Sequence, residues 1–274
     1  MIRRWAAEAL LNYLAYCPIK RGKYRLAQLA SLLLDGIVVR SRYGPYLKAR
    51  FADSTFWLAA RYGNDEVMDL LADLQPDDGF IDVGANIGLT TCFAAPHCSA
   101  VLALEASGRE FIDLLANCSL LSSCAQPVCM LAAAAEASGF LPFQVGHVSH
   151  SGGNSIAPSH GACENFVIVP SISLDTLLNA HNLKGWPAMA AAHQSKRLVV
   201  KIDVEGFEGM VLSGMSTLLQ EQRCRKVIVE VNPGRASSLD QSSDIDQMMA
   251  GYGYIPVISP AGRVHFDQCY RPQV

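Results

Sequence analysis

"FIDVGANIGLTT", residues 80–91, is the stretch on which the fold turns. Phe80-Ile81-Asp82-Val83 is a short run of β-branched and aromatic residues bounded by turn formers, which fits a strand covered on both faces. Gly84 and Gly88 flank the turn that follows. Glycine takes backbone angles closed to other residues and lets a ligand approach the main chain. With a helix expected near 88–95, this strand, turn and helix describe a nucleotide pocket.

Downstream, strands and helices alternate: strand 101–104, helix 109–121 and a strand near 127–132. After an interruption come helix 174–180, strand "LVVKID" (198–203), helix 207–219, strand "VIVEV" (227–231) and a helix near 240–250. Such alternation predicts a parallel sheet with helices on both faces. "GFLPFQVG" and "NFVIVPSIS" alternate like strands around the polar loop "HSGGNSIAPSHG", so about 139–171 reads as an insertion over one end of the sheet. "YIPVIS" and "RVHF", joined by Pro260-Ala261-Gly262, read as a closing hairpin at the sheet edge. Residues 1–75 form a helical and hairpin extension, with two apolar helices and a turn at Gly44-Pro45, before a domain of 76–274 entered through Gln75-Pro76-Asp77-Asp78-Gly79.

The 274 residues are half hydrophobic and only 17% charged, with a net charge of -3. That leaves no basic footprint for nucleic acid and no disordered composition. Nine cysteines, scattered and without a Cys-x-x-Cys pair, read as free thiols of a cytoplasmic protein. No Cys/His set has metal-ligand spacing, His147 and His150 coming nearest, so no bound metal is expected. The paired arginines at the start resemble a signal peptide, but Glu8 and Asn12 interrupt its apolar stretch and Cys17-Pro18-Ile19-Lys20 makes a poor cleavage site. Ile2, Trp5, Ala9, Tyr13 and Cys17 instead recur at helical spacing, predicting an amphipathic helix docked on the body. Peripheral membrane contact through Arg3, Arg4, Lys20, Arg21 and Lys23 is the alternative. No uninterrupted apolar run reaches the ~18 residues a spanning helix needs.

The glycine turn is not the dinucleotide fingerprint Gly-x-Gly-x-x-Gly, because its spacing is one residue short. Asp82, ahead of the first glycine, would repel a diphosphate and attract an ammonium group. S-adenosylmethionine (SAM) has a cationic amino-acid tail and no phosphates. Glu105, closing "VLALE", stands where a carboxylate accepts hydrogen bonds from both ribose hydroxyls, although NAD-binding chains place an acid there too. The third cluster is "KIDVEGFEGMVLSG", with Lys201, Asp203, Glu205 and Glu208 at the carboxyl end of a strand, where ligands of open α/β sheets bind. Glu205 and Glu208 also suit a helix amino end. Asp203 is the first candidate for a general base, with Glu205 and His150 behind it; the competing role for Asp203 is to hold Lys201 or a backbone amide. Loop 147–161, with Asn154 and Ser155, would cover a hydroxylated acceptor.

These stretches, with "LALEAS", "FIDLLANCSL" and "SISLDTLL", resemble in order and spacing the FkbM family of SAM-dependent methyltransferases over roughly residues 60–235. The resemblance implies a class I, Rossmann-like α/β fold: a seven-stranded sheet, mostly parallel, whose last strand is antiparallel. It implies methyl transfer to a hydroxyl of a sugar, glycolipid or secondary metabolite. It puts Asp82, Gly84, Asn86 and Gly88 on the cofactor loop, Glu105 on the ribose, and Asp203, Glu205 and Glu208 in the acidic motif after the fourth strand. Ala106-Ser107 departs from the Pro-containing turn usual in the family. A non-catalytic SAM-fold binding protein and, more remotely, a nicotinamide-dependent oxidoreductase are the competing functions.

Overall fold

The computed structural model describes residues 2–18, 22–62, 64–122, 125–145, 155–156, 166–179, 181–231, 242–257 and 266–273. The chain begins with α1 (Ile2–Tyr16) and α2 (Lys23–Leu34), a hairpin of β1 (Val38–Arg40) and β2 (Tyr46–Lys48), then α3 (Ser54–Arg61) and α4 (Asp65–Leu71). Next come β3 (Gly79–Val83), α5 (Leu89–Ala94), β4 (Ala100–Glu105), α6 (Gly108–Cys118) and β5 (Val128–Leu131). A second, four-stranded sheet follows, built from β6 (Ala133–Ala134), β7 (Gly139–Gln144), β8 (Ser155–Ile156) and β9 (Phe166–Ile172). The remainder is α7 (Leu174–Leu177), α8 (Pro187–Gln194), β10 (Leu198–Ile202), α9 (Glu208–Ser213), α10 (Ser216–Gln220), β11 (Cys224–Val231), α11 (Ser242–Gly251), β12 (Tyr254–Pro256) and β13 (Phe266–Pro272).

The main sheet has seven strands in the order β12-β13-β11-β10-β3-β4-β5. From β5 through β11 every neighbour is parallel, while β13 runs antiparallel to both β11 and β12. This is the seven-stranded arrangement expected from the sequence, with β3 and β10 adjacent at the point where strand order reverses. Strand alternation divides the core in two. Phe80, Val101, Val199 and Ile228 face one side and join a cluster with Leu11, Val39, Phe56 and Leu71 of the N-terminal segment. Ile81, Leu102, Val200 and Val229 face the other, with Met189, Leu212, Leu219 and Met249. The first 75 residues therefore share a core with one face of the central strands.

Several elements differ from the sequence reading, each for a local reason. The helix expected over 207–219 is two, α9 and α10. A Cβ at Gly214 would lie 2.0 Å from the Ala135 carbonyl oxygen, so another backbone passes directly against the break. Asp175 supplies the hydrogen bonds lost there: its N–H donates to the Gly214 carbonyl at 2.9 Å, and its carboxylate accepts from the N–H groups of Thr217 and Leu218 at 2.8 and 3.0 Å. The helix expected to reach residue 180 stops at Leu177, because the Asn179 side chain donates to the Thr176 carbonyl and accepts from the N–H groups of His181 and Asn182. Helix α8 was not anticipated. The closing hairpin also shifts: β12 pairs with the end of "FDQCYRP", not with "RVHF", because Cys269 and Tyr270 are buried in the core and the Tyr270 hydroxyl reaches Asp246 at 2.8 Å. Its expected turn, Pro260-Ala261-Gly262, lies outside the described residues.

Helix α1 docks on the body, but not through the expected stripe. Ile2, Trp5, Ala9 and Tyr13 are exposed, and Ala7, Leu11, Leu14 and Ala15 are buried instead. The polar residues that break the apolar run explain the rotation. Buried Arg61 donates to Asn12 Oδ1 and to the Arg40 carbonyl, both at 2.7 Å, and pairs with the Glu8 carboxylate, which also accepts from the Arg40 N–H at 3.0 Å. A buried guanidinium needs such acceptors, so Glu8 and Asn12 line the edge of the docked face. Removing the guanidinium leaves Glu8, Asn12 and a carbonyl short of a donor. Arg61→Ala should therefore lower the unfolding free energy by about 2–4 kcal/mol in urea denaturation; a change below ~0.5 kcal/mol would show that the network does not hold α1.

Candidate functional site

Two residues beyond Phe80, Val101, Val199 and Ile228, the same alternation puts Asp82, Ala103, Lys201 and Glu230 on one face at the carboxyl ends of the central strands, with Glu105 one step further on β4. Lys201 is directly opposite Asp82 in the register of β10 and β3, and Asp82 is opposite Ala103 of β4. The apolar middle of this face thus ends in charge where the strands open toward ligand space.

The turn after β3 is held in a shape few sequences allow. Gly84, Asn86 and Gly88 all have positive φ, at 77°, 51° and 86°. A Cβ on Gly84 would lie 1.8 Å from the Asp203 carbonyl oxygen, so the backbone leaving β10 rests against this glycine. At Gly88 the obstacle is the Leu114 side chain of α6, 2.6 Å away, so this glycine serves helix packing. Gly84 and Asn86 are the half-buried members of the turn, whereas Ala85, Ile87 and Gly88 are buried.

Glu105 is buried and braces the turn from the next strand. One carboxylate oxygen accepts from the Asn86 N–H and the other from the Ser107 N–H, both at 2.8 Å. Ser107 sits in the Ala106-Ser107 departure from the family turn, and it supplies a backbone donor that a proline at this position would lack. Burial pushes the Glu105 carboxyl up to about 7, against the opposing pull of those two N–H groups. Each oxygen keeps a lone pair for a further donor.

Asp82 is 0% exposed, and its carboxylate is engaged by protein: both Thr90 and Thr91 hydroxyls donate to it at 2.6 Å. Its other oxygen lies 3.5 Å from Lys201 Nζ. The Lys201 ammonium, also buried, is 3.1 Å from an Asp203 oxygen and 3.4 Å from the Gly84 carbonyl. Burial alone would lower the lysine pKa, but the Asp203 and Asp82 carboxylates outweigh it and raise it above the ordinary value. Asp203 itself is 35% exposed in its side chain.

Asp203, Glu205 and Glu230, all half-buried, each bring one carboxylate oxygen within 4.8 Å of the others. Glu205 adopts a left-handed backbone, φ 57°, at the corner between β10 and α9. Glu208 faces inward and caps that corner, accepting from the Val204 N–H at 3.1 Å and the Gly206 N–H at 3.1–3.2 Å, and burial pushes its carboxyl up to about 7. Its helix-end reading holds, and it lies away from open space.

The sequence-selected residues therefore separate by place. Gly84, Asn86, Asp203 and Glu205 are half-buried at the open end of the sheet, Glu105 is buried directly beneath the turn there, and Asp82, Gly88 and Glu208 support it from behind. His150 and most of loop 147–161 lie outside the described residues. Two participants escaped sequence reasoning. Glu230 is the polar member of "VIVEV", visible only once that strand is known to end beside β10. Asn117 of α6 donates to the Ile87 carbonyl and accepts from the Lys48 N–H, each at 2.7 Å, tying the turn to the β1–β2 hairpin.

The strand order with its antiparallel member defines a Rossmann-like class I methyltransferase fold. A family model described as the methyltransferase FkbM domain matches residues 82–256, and the chain belongs to that family. Hexuronic acid methyltransferase AglP of Haloferax volcanii is 28% identical over 170 residues, covering 62% of each chain. Methyltransferase FkbM from Methylobacillus flagellatus KT superposes with a TM-score of 0.48 at 13% identity, over 98% of this chain and 60% of that one. Magnesium protoporphyrin IX methyltransferase (ChlM) from Synechocystis PCC 6803, solved with bound SAM, gives 0.39 at 13% identity over 72% of each. The chain spans about 60% of the length of the Haloferax and Methylobacillus proteins.

The family's cofactor is SAM, and the residues fit it: a narrow turn whose own residues are uncharged, beside a Lys201 already held between Asp82 and Asp203, a carboxylate with spare lone pairs for vicinal hydroxyls, and an acidic surround for a cation. Hydroxyl donors prefer the ionised form of Glu105, whose pKa of about 7 puts its protonation within reach. SAM affinity should therefore fall by up to about tenfold per pH unit as pH drops below about 7. Glu105→Gln should bind more weakly and lose most of that pH dependence in titration calorimetry; an unchanged pH profile would place the ribose elsewhere.

Proposed function

We propose that this chain is a SAM-dependent O-methyltransferase acting on a hydroxyl of a sugar or glycolipid. The observation that carries the reading is the position of Asp203: its backbone lies against Gly84 of the cofactor turn while its partly exposed carboxylate stays oriented by Lys201. When bound, SAM supplies an electrophilic methyl group on a sulfonium. Glu105 holds the ribose, Gly84 and Asn86 line the amino-acid end, and Asp82 acts from behind by fixing Lys201 and the first turn of α5.

In this reading Asp203 accepts the proton of the acceptor hydroxyl as its oxygen attacks, and positioning supplies most of the remaining rate. Glu205 and Glu230 accept hydrogen bonds from neighbouring hydroxyls. Three carboxylates so close disfavour an anionic group in contact with them, so a neutral, hydroxyl-bearing edge of the acceptor faces this end. The name of the Haloferax relative supports a sugar as the acceptor class.

Asp203→Asn keeps shape and removes the base. Methyl transfer to a panel of hexoses, uronic acids and glycolipids should fall by about a hundredfold or more, with SAM affinity nearly unchanged. Loss of SAM binding in a folded variant would instead make Asp203 a cofactor ligand, and SAM binding without transfer to any member of the panel would favour the non-catalytic reading. The same acidic trio has the oxygen donors of a divalent-cation site. The base role predicts that transfer survives excess EDTA; activity lost to chelator and restored by magnesium would reassign the trio as metal ligands.

A further inference from the structure

We infer that α1 and α2 form a basic, apolar surface that lies on an anionic lipid bilayer. Ile2, Trp5, Ala9 and Tyr13 make a helical stripe on α1 that faces solvent, with Ile2 84% and Trp5 75% exposed. Helix α2 is more extreme. Only Ala27 is buried, while Leu26, Leu29, Leu32 and Leu33 are exposed at a spacing that places them on one side of the helix. Leu29 and Leu32 are 66% and 81% exposed. The Arg3 guanidinium donates to the Leu33 carbonyl, so the exposed start of α1 and the exposed end of α2 are neighbours.

Charge selects the occupant. Through residue 34 the sequence has Arg3, Arg4, Lys20, Arg21, Lys23 and Arg25 against one acid, although the whole chain carries -3. That acid, Glu8, is paired with Arg61 on the docked face. A second copy meeting this surface across a two-fold axis would set the same cations against each other. Anionic headgroups neutralise them while the leucines enter the acyl boundary, and exposed Trp5, Tyr16 and Tyr24 suit the headgroup level. Among the described residues no helix is long and apolar enough to cross a membrane.

The test is co-sedimentation of the full chain with vesicles of phosphatidylcholine, alone or with about a third phosphatidylglycerol. Binding should be at least about tenfold stronger to the anionic vesicles, shift tryptophan emission to the blue, and weaken between ~0.05 and ~0.5 M salt. Leu29→Glu with Leu32→Glu, and separately Arg25→Glu, should each reduce binding by about tenfold while SAM affinity, reporting an intact fold, stays unchanged. Absent or lipid-independent binding, or binding that both variants retain, would overturn the proposal. So would a dimer in sedimentation equilibrium that Leu29→Glu with Leu32→Glu converts to monomer, because a second copy would then cover the surface.

Discussion

One buried ammonium holds the site together. Lys201 reaches from β10 to Asp82 on β3, to the Gly84 carbonyl at the head of the turn, and to Asp203 just past its own strand. These two strands are where the order of the sheet reverses, so the connections on either side lead away from each other and leave a crevice. Burying an unpaired lysine would be prohibitive, and burying Asp82 alone equally so. Together with Asp203 they form a buried ion network that ties the ends of two already paired strands to the turn. The missing Cβ of Gly84 makes the same approach possible sterically, and the carbonyl of Asp203 occupies that space.

Most of this was legible because it is local. The glycine turn, the strand-end acid at 105 and the "KIDVEGFE" corner each show their geometry in a few consecutive residues, and the alternation of elements puts β3 and β10 in one parallel sheet. What could not be read depends on distant partners. Helix α10 begins where it does because Asp175, some forty residues earlier, caps it. Helix α1 offers two apolar stripes at helical spacing, and only the position of Arg61 decides which one turns inward. Glu230 enters the site through strand order, which its own sequence does not encode.

Charge is distributed unevenly over the molecule. The open end of the sheet concentrates carboxylates around one lysine, whereas the first two helices carry basic residues beside exposed leucines. Both sets are attached to the same face of the sheet, since the core cluster that contains Leu11 and Phe56 also contains Phe80 and Val199. The N-terminal segment and the cofactor turn are further joined through Asn117, which bonds to Lys48 and Ile87 at once. A shift of the hairpin is therefore felt at the turn.

If Lys201 sets the shape of the cofactor site, titration calorimetry of SAM with Lys201→Met tests it most directly. With circular dichroism confirming a folded chain, affinity should be weaker than wild type by at least about tenfold, roughly 1.4 kcal/mol. A folded Lys201→Met protein that binds SAM as tightly as wild type would contradict it.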